Sequence, residues 1–121
     1  MKDCLFCKIT SDLSSSKVIY EDDIVAVIMD INPMCDGHLL VIPKKHYTDV
    51  FELEDKTIHY MYEIANKMIH LLYDKLGIEG CSIVFNYGDK QIIKHVHMHI
   101  IPDHHKKCTK TIDEVHKLLV G

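Results

Sequence analysis

The sequence contains no arginine: all fourteen of its basic residues are lysine. A guanidinium fork that grips phosphate through two parallel hydrogen bonds is therefore excluded. Any phosphate site must use backbone N–H groups, histidine, asparagine, glutamine, hydroxyls or lysine. The lysines are scattered and the formal net charge is -4, which argues against nucleic acid as a partner. No apolar run reaches the length of a membrane span and no charged-then-apolar leader opens the chain, so a cytoplasmic protein without a membrane partner is expected. The cysteines, Cys4, Cys7, Cys35, Cys81 and Cys108, are odd in number, which disfavours a disulfide framework. There is no internal repeat and no low-complexity segment beyond a short serine run. The 121 residues, 47% hydrophobic and 26% charged, suit one domain spanning 1–121.

The apolar, β-branched runs Val18–Tyr20 and Ile24–Met29 flank Glu21-Asp22-Asp23 and predict a hairpin. Asp30-Ile31-Asn32-Pro33 ends the second strand, because proline cannot donate to a ladder. His38–Ile42 reads as a further strand closed by Pro43. From Asp55 to Leu76, residues Ile58, Met61, Ala65, Met68, Leu72 and Leu76 recur at helical spacing, with Asp55 as N-cap and Gly77 as the stop. Cys81–Tyr87 and Ile92–Ile101 read as an antiparallel pair around a turn at Gly88-Asp89-Lys90. His104-His105-Lys106-Lys107 is polar and expected to be exposed. Thr111-Ile112-Asp113-Glu114 fits a capping box opening a short helix through Leu119. The fold class is α+β: a mainly antiparallel sheet covered by one long helix, with a short C-terminal helix.

Chemistry concentrates in His95-Val96-His97-Met98-His99. On a strand the three imidazoles share one face and the apolar residues the other. Two mechanisms compete for such a row. Alternate histidines can bind a metal that activates water. Alternatively, one neutral histidine attacks phosphorus and carries a covalent intermediate while its neighbours hold the phosphate. Crowding of imidazoles favours the neutral form that a nucleophile needs. Cys4-Leu5-Phe6-Cys7 has the spacing of a metal knuckle but supplies only two ligands. His46 and one member of the histidine row are the candidates to complete a structural zinc site.

The segment Lys94-His95-Val96-His97-Met98-His99-Ile100-Ile101-Pro102 resembles the signature of the histidine-triad (HIT) superfamily. Tyr20–Asp23, Asp30–Pro33, Gly37–His46 and Asn86–Gly88 match further family segments in order, so the resemblance spans about residues 4–102, with a tail at 103–121. It implies a five-stranded antiparallel sheet, usually in a homodimer whose two sheets join, and hydrolysis or transfer of nucleotides by attack at the α-phosphorus. It implies His97 as the nucleophile, with His99 and His38 contacting the phosphate or tuning the site and Asn86 hydrogen-bonding near the α-phosphate. Asp30 would accept from ribose hydroxyls, and Leu5, Phe6, Ile9, Ile28 and Ile31 would line the base pocket. Zinc-bearing members imply a structural zinc on Cys4, Cys7, His46 and His95.

The family's Gly-Gln-Ser/Thr segment is altered here. Asp89-Lys90-Gln91-Ile92 is shorter by about two residues and puts Ile92 where a hydroxyl would reach phosphate, leaving Gln91 or Lys90 as substitutes. Loss of one hydrogen bond to a charged group is worth about 1.5–3 kcal/mol, or tenfold and more in rate. The resemblance points first to the Hint-like branch, purine nucleoside phosphoramidases acting on AMP-type substrates. The alternatives are a Fhit-like dinucleoside polyphosphate hydrolase and a nucleotide-binding scaffold with vestigial catalysis. The tail from Asp103 onward matches neither branch and is expected to border the leaving-group site.

Overall fold

Val25–Met29 (β2) and Leu39–Pro43 (β3) bury every one of their side chains, which requires cover on both faces of the sheet. In the computed structural model, which describes residues 4–102 and 108–121, these strands lie inside a five-stranded antiparallel sheet. The others are Val18–Glu21 (β1), Cys81–Val84 (β4) and Met98–Pro102 (β5), and the order is β1-β2-β3-β5-β4. The expectation for His104-His105-Lys106-Lys107 falls outside the described residues.

Alternation along the strands sorts the core into two layers. Val25, Val27, Met29, Leu39, Val41, Met98 and Ile100 point to the face covered by the long helix Asp55–Leu76 (here α2), meeting Met61, Ile64, Ala65, Met68 and Leu72. Each valine, leucine, isoleucine or methionine among them contributes about 1.5–3 kcal/mol by burial. Ile28, Leu40 and Ile42 point to the opposite face, where they meet Phe6 of Leu5–Ser11 (α1) in a much smaller cluster. Leu40 pairs with His99, so the histidines share this thinly covered face. The C-terminal helix Ile112–Val120 (α3) opens with the expected capping box between Thr111 and Glu114 and packs on α2 and β1.

Four details depart from the expected layout. The histidine strand is shorter than 92–101: His95 and His97 precede β5, because this segment turns to the chain after β3, with Val96 N–H donating to Tyr47 O at 2.8 Å. The strand from Cys81 ends at Val84 rather than Tyr87. Glu54, not Asp55, is the N-cap of α2 and makes no side-chain cap, its carboxylate being held by Lys45 Nζ (2.8 Å) and Tyr47 Oη (2.9 Å). Finally, α1 occupies a stretch with no periodicity long enough to announce it. Gly77 ends α2 in the left-handed region, as expected. Among the described residues no helix is long and apolar enough to cross a membrane.

Candidate functional site

Three segments converge on the face opposite α2: α1 with its preceding Cys4, the chain leaving β3, and residues 95–99. Cys4 sits at the N-cap of α1, where its Sγ accepts from Cys7 N–H at 3.3 Å. Burial of Phe6 and a Thr10 Oγ1 bond to Phe6 O at 2.8 Å hold this seven-residue helix, which would not persist alone. Cys4 Sγ lies 3.2 Å and Cys7 Sγ 3.4 Å from His95 Nδ1, and His46 Nδ1 is 3.2 Å from both Cys7 Sγ and His95 Nδ1. All four ligand atoms fall within 4.8 Å of one another.

This donor set fits a tetrahedral zinc ion. Zinc–nitrogen and zinc–sulfur bonds of about 2.0–2.3 Å give tetrahedral edges of roughly 3.3–3.8 Å, close to the spacings seen. The tautomer of His95 fits as well. Its Nε2 is 2.8 Å from Pro43 O; a carbonyl only accepts, so Nε2 carries the hydrogen and the Nδ1 lone pair faces the thiols. Donation of the far N–H to a carbonyl is the usual outer support of a metal-bound histidine.

The same reasoning fixes the other histidines. His97 Nδ1 is 2.8 Å from His95 O and so carries its hydrogen, leaving the Nε2 lone pair free. His38 Nδ1 accepts from Met34 N–H at 3.1 Å, so its hydrogen is on Nε2, which donates to His99 Nδ1 at 3.0 Å with Asp30 Oδ2 at 3.5 Å. His99 therefore presents Nε2–H. Burial lowers the pKa of His97 and of His38, against the pull of Asp30 on both and of the His95 carbonyl on His97. Burial, with the neighbouring charges of His97 and His38, brings His99 down to about 4. The imidazoles at 38, 97 and 99 are accordingly neutral near neutral pH.

Asp30, His38 and His99 form a second group of donor atoms within 4.8 Å, yet its surroundings oppose a metal. A metal on His38 Nε2 would force the hydrogen onto Nδ1, against the Met34 N–H. One cluster is thus set up to ligate and the other to pass hydrogen bonds.

The expected nucleotide residues are distributed unevenly. Phe6 is buried with its ring edge-on to His97, centroids 4.8 Å apart, and Ile9 and Ile28 pack beside it. Leu5 and Ile31 are exposed, at 51% and 78%. Asp30 lies beside His38, its Oδ1 accepting from Asn32 N–H at 2.8 Å. Asn86 is half-buried two residues beyond β4, whose Val84 pairs with His99. Gln91 departs from the phosphate-binding role expected of it. It is buried, and its amide nitrogen donates to Thr48 O (2.6 Å) and Ile93 O (3.1 Å), so it braces the loop. Lys94 Nζ ties the same loop through Gly88 O and Gln91 O, while Ile92 stands 88% exposed. The described part of the tail lies against residues 33–36: Cys108 Sγ meets Pro33 O at 3.5 Å and Thr109 meets Asp36. Three groups in the histidine network, Met34 N–H and the Pro43 and His95 carbonyls, belong to the backbone, and residue identities carry no sign of them.

The profile of the HIT domain matches residues 12–106. A HIT-like protein of Methanocaldococcus jannaschii is 44% identical over 101 residues, 82% of this chain and 78% of that one. An adenylylsulfatase of Arabidopsis thaliana is 34% identical over 108 residues, 88% of this chain and 55% of its own length. Among solved structures, a zinc-bound histidine triad family protein from Mycobacterium smegmatis superposes with a TM-score of 0.88 at 29% identity, covering 98% of this chain and 91% of that one.

Proposed function

The chain belongs to the HIT domain family, and on that premise we propose that it hydrolyses or transfers nucleotides at the α-phosphorus through a nucleotidyl-histidine intermediate, with a purine nucleoside phosphoramidate as substrate and AMP or GMP as product. The observation that carries this reading is the tautomer of His97: buried, neutral, its Nδ1–H spent on the His95 carbonyl and its Nε2 lone pair available. Nε2 attacks the phosphorus, the bond to the amine breaks, and the departing nitrogen takes a proton from solvent water, the same count of protons being returned to solvent when the intermediate is hydrolysed. Water then cleaves the nitrogen–phosphorus bond, restoring neutral His97 and releasing the nucleoside monophosphate.

His99 Nε2–H donates to a phosphoryl oxygen, and the His38 Nε2–H that is donated to His99 Nδ1 holds His99 in the orientation and tautomer this needs. Asn86 supplies a second donor, and Asp30 receives the ribose hydroxyls. Phe6, Ile9 and Ile28 form the inner wall of the base pocket, with Leu5 and Ile31 as its outer rim. A relative named adenylylsulfatase acts, by that name, on an adenylyl compound, which supports a nucleotide substrate. Zinc, held by Cys4, Cys7, His46 and His95, serves the fold: it pins α1 and the chain after β3 to the histidine segment. Thiols kept reduced suit the cytoplasm. The active form is a homodimer joined through β4, one of the two edge strands of the sheet among the described residues.

An AMP–amine phosphoramidate, quenched during turnover and digested for mass spectrometry, tests the proposal. Nucleotide is expected on His97, and His97→Ala is expected to lower turnover by at least about a thousandfold. An adduct on His95 or His99 overturns the assignment. Faster cleavage of a diadenosine polyphosphate favours the Fhit-like alternative. AMP binding without turnover of either substrate leaves a nucleotide-binding scaffold.

A further inference from the structure

His38 owes its tautomer to a backbone N–H in the turn 33–38, and that turn is held from outside by the chain beyond β5. Asp36 Oδ1 accepts from Thr109 N–H (3.0 Å) and Lys110 N–H (3.2 Å), and Asp36 Oδ2 accepts from Thr109 Oγ1 at 2.6 Å. Cys108 Sγ reaches Pro33 O at 3.5 Å, and Cys35 Sγ donates to Pro102 O at 3.2 Å. On its inner side the turn presses on α2: Gly37 has φ +88, and a Cβ there would lie 2.8 Å from Leu72 Cδ2. Between these restraints the Met34 N–H is aimed at His38 Nδ1.

We propose that Asp36 is a positioning residue which, by clasping Thr109 and Lys110, holds the 33–38 turn so that His38 keeps its hydrogen on Nε2 and passes it to His99. Asp36 bonds to Thr109 and Lys110, and it acts on the two histidines through the turn. Thr109 and Lys110 thereby govern the hydrogen-bond polarity of the row His38–His99 through the turn. Release of the clasp frees Met34 N–H, and His38 then divides between its two tautomers. In the Nδ1–H form His38 can no longer donate to His99, and His99 loses the partner that fixes its own Nε2–H. The catalytic part of this inference rests on the nucleotidyl-histidine reading; the tautomer part does not.

Long-range proton–nitrogen spectra of uniformly nitrogen-15-labelled, zinc-loaded protein read the tautomers in the resting state. Wild type is expected to show His38 as Nε2–H. Asp36→Ala is expected to move His38 to an averaged signature and to lower kcat about tenfold with KM little changed, in line with the cost of misplacing an active-site group. Asp36→Asn, which keeps an acceptor for the two amides, is expected to restore both readouts. Thr109→Val removes only the hydroxyl bond and gives a smaller shift, which keeps the test available should Asp36→Ala not fold. Asp113→Asn, which breaks the Lys17–Asp113 pair of α3 without touching the turn, leaves His38 as in wild type. A folded Asp36→Ala protein whose His38 signature is unchanged overturns the proposal whatever its turnover. A shifted signature in a protein whose wild type cleaves no phosphoramidate upholds the positioning role and removes only the nucleotidyl reading.

Discussion

At the scale of single residues, hydrogen placement divides chemically identical side chains. His95 and His97 are two residues apart, and each gives one N–H to a backbone carbonyl, but through opposite nitrogens. His95 thereby turns Nδ1 to the thiols and His97 keeps Nε2 free. Cys7→Ser, which replaces one soft ligand, is expected to cut zinc content from about one ion per chain to a small fraction and to lower Tm, since binding free energy of such a site is also folding free energy. Elemental analysis of protein purified without chelator, beside a thermal melt, checks both. Full stability in a zinc-free wild type would remove the ion from the fold. Gly37 makes a second residue-scale demand: positive φ and contact with Leu72 and Leu76 leave no room for a methyl group. Gly37→Ala is expected to cost about 2–4 kcal/mol in denaturant unfolding.

At the scale of elements, Asp22 joins the β1–β2 turn to α2. Its carboxylate accepts from Tyr20 Oη (2.7 Å), Ile24 N–H (2.8 Å), Val25 N–H (2.9 Å) and Tyr60 Oη. Burial raises its pKa, but these donors outweigh burial and bring it from 3.8 down to about 2. A carboxylate whose pKa is lower folded than unfolded contributes fully above the unfolded value, and its contribution is lost as pH falls from about 3.8 through 2. Asp22→Asn is therefore expected to flatten the acid limb of Tm against pH over that window, and an unchanged limb would place the effect elsewhere.

Strands and helices with a sustained pattern were legible in the sequence. β2 and β3 follow from short apolar runs bounded by proline and acidic turn residues, α2 from helical spacing and α3 from the Thr111–Glu114 box. The seven residues of α1 complete too few turns to show a period, and their order comes from Phe6 meeting the second core layer. The early end of the histidine strand was equally hidden, because it depends on the Tyr47 carbonyl, 49 residues from the Val96 N–H that donates to it. For the site, the row 95–99 was visible as spacing. The joining of Cys4, Cys7 and His46 to His95 rested on family likeness, and Gln91 was misread because its loop partners are backbone oxygens.

At the scale of the whole molecule, β4 stands at one edge of the sheet among the described residues, and the proposed dimer pairs it with a second copy. Sedimentation at micromolar concentration is expected to give a particle of two chains; a monomer at that concentration would remove the partner from the proposed active form. The unequal covering of the two sheet faces has a consequence of another kind. β2 and β3 are buried throughout, between a deep layer under α2 and a shallow one under α1. Their amides should exchange with deuterated water only when the entire chain opens, whereas those of α1 escape by local lifting. Zinc would then slow exchange in α1 far more than in β2, so the protection of one short helix becomes a ledger of metal occupancy, read without any substrate.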